Sequence, residues 1–392
     1  MSKIDELIVE LCPEGVEYRE LQEIFDIRNG YTPSKANSAF WANGTIPWFR
    51  MEDIRKNGRI LGDSIQKITP EAVKNGKLFP ANSLIIATTA TIGEHALLTA
   101  DSLANQQFTF LTRKVNCLDL LDPKFIFYYG FVLSEWCRNN TNVSSFASVD
   151  MAKFRQFKFP IPPIDVQRAI VEVLDSFTEL EAELEAELEA RKKQYEFYRN
   201  QLLTFDDAGR VRWTTLVDTV KMARGVRVVK KELEETGEIP VYQNSMTPLG
   251  YYDKSNNKAD TAFVITAGAA GEVGYSFIDF WAADDCFALI CPDNLSGRFL
   301  YHFLKTKQEF LLSRVRRASV PRLSRAVIEN IKVPVPPIEE QNHIVSILDS
   351  FDKLTTDISE GLPAEINARR KQYEYYRSKL LTFDEKKEPA HV

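Results

Sequence analysis

The sequence has little that would tie it to a membrane, a metal or an oxidising compartment. No run of about 18 apolar residues occurs in its 392 residues, so no transmembrane helix is expected. The opening Met1-Ser-Lys-Ile-Asp lacks the basic and apolar regions of a signal peptide. The five cysteines (Cys12, Cys117, Cys137, Cys286, Cys291) form no CxxC pair, and their odd count and loose spacing point to reduced thiols in a cytoplasm. Cys286 and Cys291 alone are close enough to pair or share a metal, and no other ligand spacing supports that. The four histidines are scattered and no HExxH occurs. No P-loop spacing exists, which argues against ATP-driven translocation. An Asn/Asp-Pro-Pro-aromatic loop, which adenine methyltransferases use to hold their base, is missing: Pro162-Pro163 and Pro336-Pro337 are each followed by isoleucine. The segment Gly268-Ala-Ala-Gly271-Glu-Val-Gly274 lacks GxGxxG order and reads as a tight strand-to-strand turn. Asp284-Asp285 has no further placed ligand and reads as a solvated turn.

What is present is a repeat. FPIPPIDVQRAIVEVLD at 159–175 returns as VPVPPIEEQNHIVSILD at 333–349, an offset of 174. ARKKQYEFYRNQLLTFDD at 190–207 returns as ARRKQYEYYRSKLLTFDE at 368–385, an offset of 178. The four extra residues fall near Ser359–Pro363. Upstream the echo is weaker: Val16-Glu-Tyr18 resembles Val211-Arg-Trp213, Gly30 falls on Gly225, and Ile46-Pro47 resembles Ile239-Pro240.

Charge follows the same division. Residues 16–158 hold 17 basic and 14 acidic side chains and residues 208–332 hold 18 and 14, while residues 159–207 hold 5 and 12. The formal charge of −6 therefore sits outside two mildly basic segments, and a local field governs phosphate binding more than net charge does.

The repeated segments read as helices. Ile170, Leu174, Phe177, Leu184 and Leu188 recur at helical spacing, after a Pro160-Ile-Pro162-Pro163 lead-in that cannot be helical. Three ELEA tetrapeptides follow, so a helix over about 165–204 would run for roughly 60 Å. Ile344, Ile347, Phe351, Leu354, Ile358 and Ile366 repeat the pattern, with Gly361 and Pro363 placed to kink or break it. The variable segments read as α/β. Strands are expected at Ser83–Thr88, Phe108–Leu111, Ala262–Thr266 and Phe287–Ile290, and helices at Pro123–Tyr129 and Arg298–Leu304. The segments are thus 1–15 (a short helix), 16–158, 159–207, 208–332 and 333–392.

The two halves, their PIPP and PVPP lead-ins and their RKKQYEFYRNQLLTF and RRKQYEYYRSKLLTF exits resemble the specificity (S) subunit of type I restriction-modification systems, over essentially the whole chain. The resemblance implies an α/β (α+β) protein with two target-recognition domains, each reading half of a bipartite DNA site. It implies two long helical regions that pair as an antiparallel coiled coil, set the spacer and give a pseudo-twofold frame. It implies double-stranded DNA, two modification subunits using S-adenosylmethionine, and restriction subunits using ATP and magnesium as partners, with no cofactor in this chain. The alternative is a methyltransferase or nuclease with an unrecognised motif.

Candidate DNA contacts follow from side-chain chemistry. In the second variable segment they are Arg224 and Arg227, the amide-bearing Tyr242-Gln243-Asn244, and the cluster Arg314, Arg316, Arg317, Arg322 and Arg325. In the first they are Lys67, Lys74, Lys77, Thr88, Thr89, Thr91, Gln106 and Gln107. Tyr195, Tyr198, Arg199, Tyr373, Tyr376 and Arg377 at the helix exits suit either partner docking or a stripe where two helices pack.

Overall fold

A computed structural model of the chain describes residues 3–142, 147–205, 211–357 and 359–386. Among its helices are α1 (Lys3–Leu11), α2 (Pro123–Asn139), α3 (Ile164–Leu202), α4 (Gly297–Thr306), α5 (Ile338–Thr356) and α6 (Leu362–Leu380). Two compact units emerge: Met1–Ala182 with Ala368–Val392, and Glu183–Asn367. They cut across the helical segments read from sequence, because α3 begins in the first unit and ends in the second. The break expected at Gly361 and Pro363 falls between α5 and α6; a Cβ on Gly361 would lie 2.6 Å from the Lys353 carbonyl oxygen.

The first unit holds a five-stranded sheet in the order Phe25–Asn29, Phe108–Arg113, Leu84–Ala87, His95–Leu98, Ile60–Leu61. Leu84-Ile-Ile-Ala87 shows why the sheet is central. All four side chains are buried, and they alternate: Leu84 and Ile86 face a cluster containing α2 residues, while Ile85 and Ala87 face a second cluster around Trp48 and Phe49. Each fully buried Leu or Ile is worth roughly 1.5–3 kcal/mol. Glu17–Glu20 pairs antiparallel with Lys158–Ile161, and α3 starts directly after Pro163. The unit is closed by the far end of the chain: the Val16 N–H donates to the Asp384 carbonyl at 2.8 Å and the Lys386 N–H to the Val16 carbonyl at 2.8 Å.

The second unit repeats this plan. Its four-stranded sheet runs Lys221–Arg224, Cys286–Ile290, Thr261–Ile265, Val273–Ser276. Ala262 and Val264 face the cluster containing α4 residues, Phe263 and Ile265 the other. Gly225 occupies the place of Gly30: a Cβ would lie 2.0 Å from the Ala283 oxygen, and on Gly30 it would lie 2.3 Å from the Ala104 oxygen, so neither position admits a side chain.

The helices are fastened to the sheets by polar groups that also repeat. In the first unit the buried Gln167 side chain accepts from the Asp122 N–H (2.8 Å) and donates to the carbonyls of Leu120 (2.8 Å) and Pro162 (2.7 Å). In the second, Gln341 accepts from the Ser296 N–H (2.8 Å) and donates to Asn294 (2.9 Å) and Pro336 (2.7 Å). Two turns further along, Asp175 takes Lys124 (2.5 Å) and the Tyr128 hydroxyl (2.7 Å), whereas Asp349 takes Arg298 (2.7 Å) and His302 Nε2 (2.7 Å). The helix pairing repeats as well. Phe177 packs on Tyr373 and Tyr376 at 6.3 and 5.5 Å, and Glu181 holds Arg370, so α3 and α6 run antiparallel there. Phe351 packs on Tyr195 and Tyr198 at 6.3 and 5.5 Å.

Gln341→Leu removes three hydrogen bonds and leaves their buried partners unpaired, at about 1–3 kcal/mol each. It should lower the urea-unfolding stability of the chain by about 3 kcal/mol or more; an unchanged midpoint would show that the clamp contributes nothing. A second expectation concerns pH. Burial, followed by the field of Arg59, pushes His95 down to about 3, and burial also lowers His302 against the pull of Asp349. At both histidines the unfolded chain binds a proton more readily than the folded chain does. Stability should thus be complete above pH 6.5 and erode as pH falls, by up to about 1.4 kcal/mol per pH unit per histidine. Urea midpoints between pH 7.5 and 5 should show the slope, and His302→Tyr, which copies Tyr128, should flatten it.

Candidate nucleic-acid interface

Three separate segments of the second unit are drawn together by main-chain hydrogen bonds. The turn Thr266–Gly271 joins two sheet strands, with Gly268 and Gly271 at φ +79° and +91°. Its Ala269 N–H donates to the Asn244 carbonyl (2.9 Å), and its Gly268 N–H to Pro321 (3.2 Å). Ala267 bridges Arg322, and Arg322 pairs with Arg316 through N–H···O bonds of 2.8 and 3.1 Å, which forms a hairpin. Arg316, Arg317 and Arg322 are exposed on that hairpin and Arg314 at its base, against the Phe310 ring. The Asn244 side chain is exposed beside the turn, Gln243 is half-buried, and among the described residues neither amide has a hydrogen-bond partner. Such free amides and guanidinium groups are what base edges and phosphates require.

The remaining candidates of this unit divide. Tyr242 is stacked on Phe263 at 4.7 Å and serves packing. Arg224 lies across from Phe287, over whose ring Arg325 sits at 5.7 Å, but Arg325 is ion-paired with Glu329 at 2.7 Å. Arg227 is exposed just beyond Gly225.

The first unit builds the same patch from other side chains. Thr88–Gly93 closes as Thr266–Gly271 does, the Gly93 N–H donating to Ala87 (2.9 Å) and Glu94 to Thr91 (3.2 Å) where Gly271 donates to Ile265 (2.8 Å) and Glu272 to Ala269 (3.1 Å), with Ala90 at φ +60° in the place of Gly268. Thr89 bridges Ser148 as Ala267 bridges Arg322. Thr88 is buried, its hydroxyl bonded to Thr109 at 2.9 Å; Thr89 is half-exposed; the Thr91 hydroxyl is buried without a partner. Gln107 accepts the Thr88 N–H through its main chain, and exposed Gln106 accepts from Thr32 at 2.6 Å. Lys74 lies over the Tyr31 ring at 4.6 Å, next to Thr32. Lys67 is paired with Asp63 at 3.0 Å on a separate small sheet, and Lys77 is exposed with no contact that brings it to the turn. A position outside the candidates read from sequence is Arg50, ion-paired with Glu52 at 3.1 Å and lying over the Trp48 ring at 5.7 Å. It follows Phe49 as Gln243 follows Tyr242, since the Asn105 N–H donates to Phe49 (3.0 Å) as the Ala283 N–H donates to Tyr242 (2.8 Å). Extending the Ile46-Pro47 and Ile239-Pro240 match by three residues would have found it.

At the helix exits, Tyr195, Tyr198, Tyr373 and Tyr376 are engaged in the phenylalanine stacks, Arg199 lies over Tyr195 and Arg377 over Phe131. The outward positions are Lys193, Glu196 and Phe197 in one repeat and Lys371, Glu374 and Tyr375 in the other, with Phe197 63% and Tyr375 65% exposed. Among the described residues no helix is long and apolar enough to cross a membrane.

The family described as the type I restriction modification DNA specificity domain matches residues 13–190 and again 211–368. The EcoprrI type I restriction enzyme specificity subunit of Escherichia coli is 43% identical over 362 residues, covering 88% of this chain and 90% of that protein. A putative type I restriction enzyme specificity subunit of Haemophilus influenzae is 30% identical, covering 94% and 96%. Among solved structures, a chain from a study of complex assembly and conformational transition in the type I R-M system aligns with TM-score 0.65 at 16% identity, covering 94% and 98%. The S subunit from M. genitalium aligns with TM-score 0.55 at 19% identity, covering 93% and 95%. At those identities the structures speak for the fold, and with the sequence relatives and the doubled domain match they lead to one conclusion: the chain belongs to the specificity subunits of type I restriction-modification systems.

Proposed function

We propose that this chain recognises a bipartite, asymmetric DNA sequence for a type I restriction-modification complex, one half-site per unit, and has no catalytic centre of its own. The observation that carries this reading is the doubled patch: one main-chain frame, two different sets of side chains. Thr88-Thr89-Ala90-Thr91 stands where Thr266-Ala267-Gly268-Ala269 does, Arg50 where Gln243 does, and Ser148 where Arg322 does. A constant frame with variable tips is how one fold can read two base sequences. The outward Lys193, Glu196, Phe197 and Lys371, Glu374, Tyr375 offer nearly the same surface twice, which suits two copies of one modification subunit. S-adenosylmethionine, ATP and magnesium then belong to partner subunits. Incubating the isolated chain with S-adenosylmethionine and DNA separates this from the enzyme alternative: methyl transfer or strand cleavage by the chain alone would overturn it.

Replacing residues 16–158 by the matching segment of a relative should change one half-site and leave the other, as read by methylome sequencing of cells carrying the whole system. The combined Arg316→Ala and Arg317→Ala variant should weaken DNA binding and flatten its dependence on salt by about one counterion per lost phosphate contact. An unchanged slope removes the pair from the interface. Inserting one more Glu-Leu-Glu-Ala after Ala190 adds about 6 Å and about 40° to α3. It should lengthen the unspecified spacer by one to two base pairs at about 3.4 Å each, with both half-sites unchanged. An identical spacer in both forms would reduce the run to a solvated stretch of helix.

A further inference from the structure

A cavity of about 420 Å³ opens in the first unit beside the Thr88–Gly93 turn. Three arginines from distant parts of the chain meet there: Arg59 before the edge strand, Arg138 in the last turn of α2, and Arg377 of α6. Phe131 forms the apolar wall. The Arg377 guanidinium lies 4.1 Å from its ring centroid and that of Arg59 5.5 Å, so one ring carries two cations. Arg59 is neutralised by Glu94 at 2.6 Å. Arg138 and Arg377 have no carboxylate within ion-pair distance among the described residues. Glu135 also lines the cavity, is exposed and makes no ion pair among the described residues, so the arginines outnumber the carboxylates there by one. Buried His95 on the inner wall is held neutral and adds no charge.

We propose that this cavity binds a phosphate group, carried by the DNA backbone or by a free small molecule. The guanidinium fork matches a tetrahedral oxyanion through paired N–H donors. The exposed Asn139 amide adds a further donor at the rim. The space exceeds a bare phosphate and admits the ester groups attached to it. Arg138 also touches the recognition turn: a Cβ on Gly93, at φ +90°, would lie 3.1 Å from Arg138 Nε. Among the described residues of the second unit the arginine cluster is not repeated. Arg199 lies over Tyr195 as Arg377 lies over Tyr373, but Lys305 replaces Phe131 and Leu312 replaces Arg138. One phosphate per chain is therefore expected rather than two.

The inference does not depend on the proposed DNA reading, and its test has two arms. Calorimetric titration of the full chain with inorganic phosphate at low ionic strength should saturate at one per chain. Arg138→Gln, at an exposed position, should weaken that binding about tenfold or more, and Arg377→Lys, which keeps the charge and loses the fork, should weaken it less. In the second arm, the slope of log affinity against log salt is measured for duplex DNA. A slope reduced by about one in Arg138→Gln assigns the site to a backbone phosphate. An unchanged slope with phosphate binding lost assigns it to a free phosphate compound. Failure of the wild-type chain to bind DNA would count against the proposed function and leave the phosphate arm standing. Absence of stoichiometric phosphate binding together with an unaltered slope overturns the site.

Discussion

Everything in each unit is arranged around one buried glutamine. Gln167 and Gln341 each use the whole of their amide, taking a main-chain N–H at the start of a domain helix and giving to two carbonyls on separate segments. A side chain with both a carbonyl and an amino group is the one way to satisfy a donor and two acceptors from a single point. Because the site is dry, an error of register would strand at least three polar groups, so the clamp fixes where the long helix begins relative to the sheet. The carboxylate two turns later, Asp175 or Asp349, repeats the fastening with charge.

Given that anchorage, the sheet's two-faced burial leaves the recognition turns free to differ. Leu84-Ile-Ile-Ala87 and Ala262-Phe-Val-Ile265 load both of their faces with apolar side chains, and the turns that follow are closed by main-chain bonds, with Ser134 donating to the Gly93 carbonyl and Gln308 to the Gly271 carbonyl from behind. Main-chain bonds do not depend on side-chain identity. Threonines can thus stand at one tip and alanines with arginines at the other without a change of frame.

Which of this could be read in the sequence follows from the same distinction. The helices and their break at Gly361 were legible because identical residues recur, and the strands because their apolar runs are unbroken. The equivalence of Tyr128 with His302, or of Lys124 with Arg298, was not, since what repeats is a donor aimed at an aspartate and not a residue type. The hairpin that carries Arg316 and Arg322 holds by two main-chain bonds and leaves no hydrophobic pattern. Lys67 reads like Lys74 in sequence; only geometry shows the first neutralised by Asp63 and the second beside the patch. Phe177 and Phe351 were legible as helix-stripe residues, while the tyrosines they hold were equally consistent with an exposed surface.

The hydrogen bonds between Val16 and the segment Asp384–Lys386 have a consequence for synthesis. The second unit lies wholly within Glu183–Asn367, whereas the first needs Ala368 onward for completion. On the ribosome the earlier unit therefore stays open until the last segment of the chain has been made. At about 5–20 residues per second, the N-terminal sheet waits roughly ten to forty seconds for its last strand of contacts. The usual N-terminal-first order of domain maturation is thereby lost, and the chain's first hundred and eighty residues are the ones a chaperone would meet unfinished.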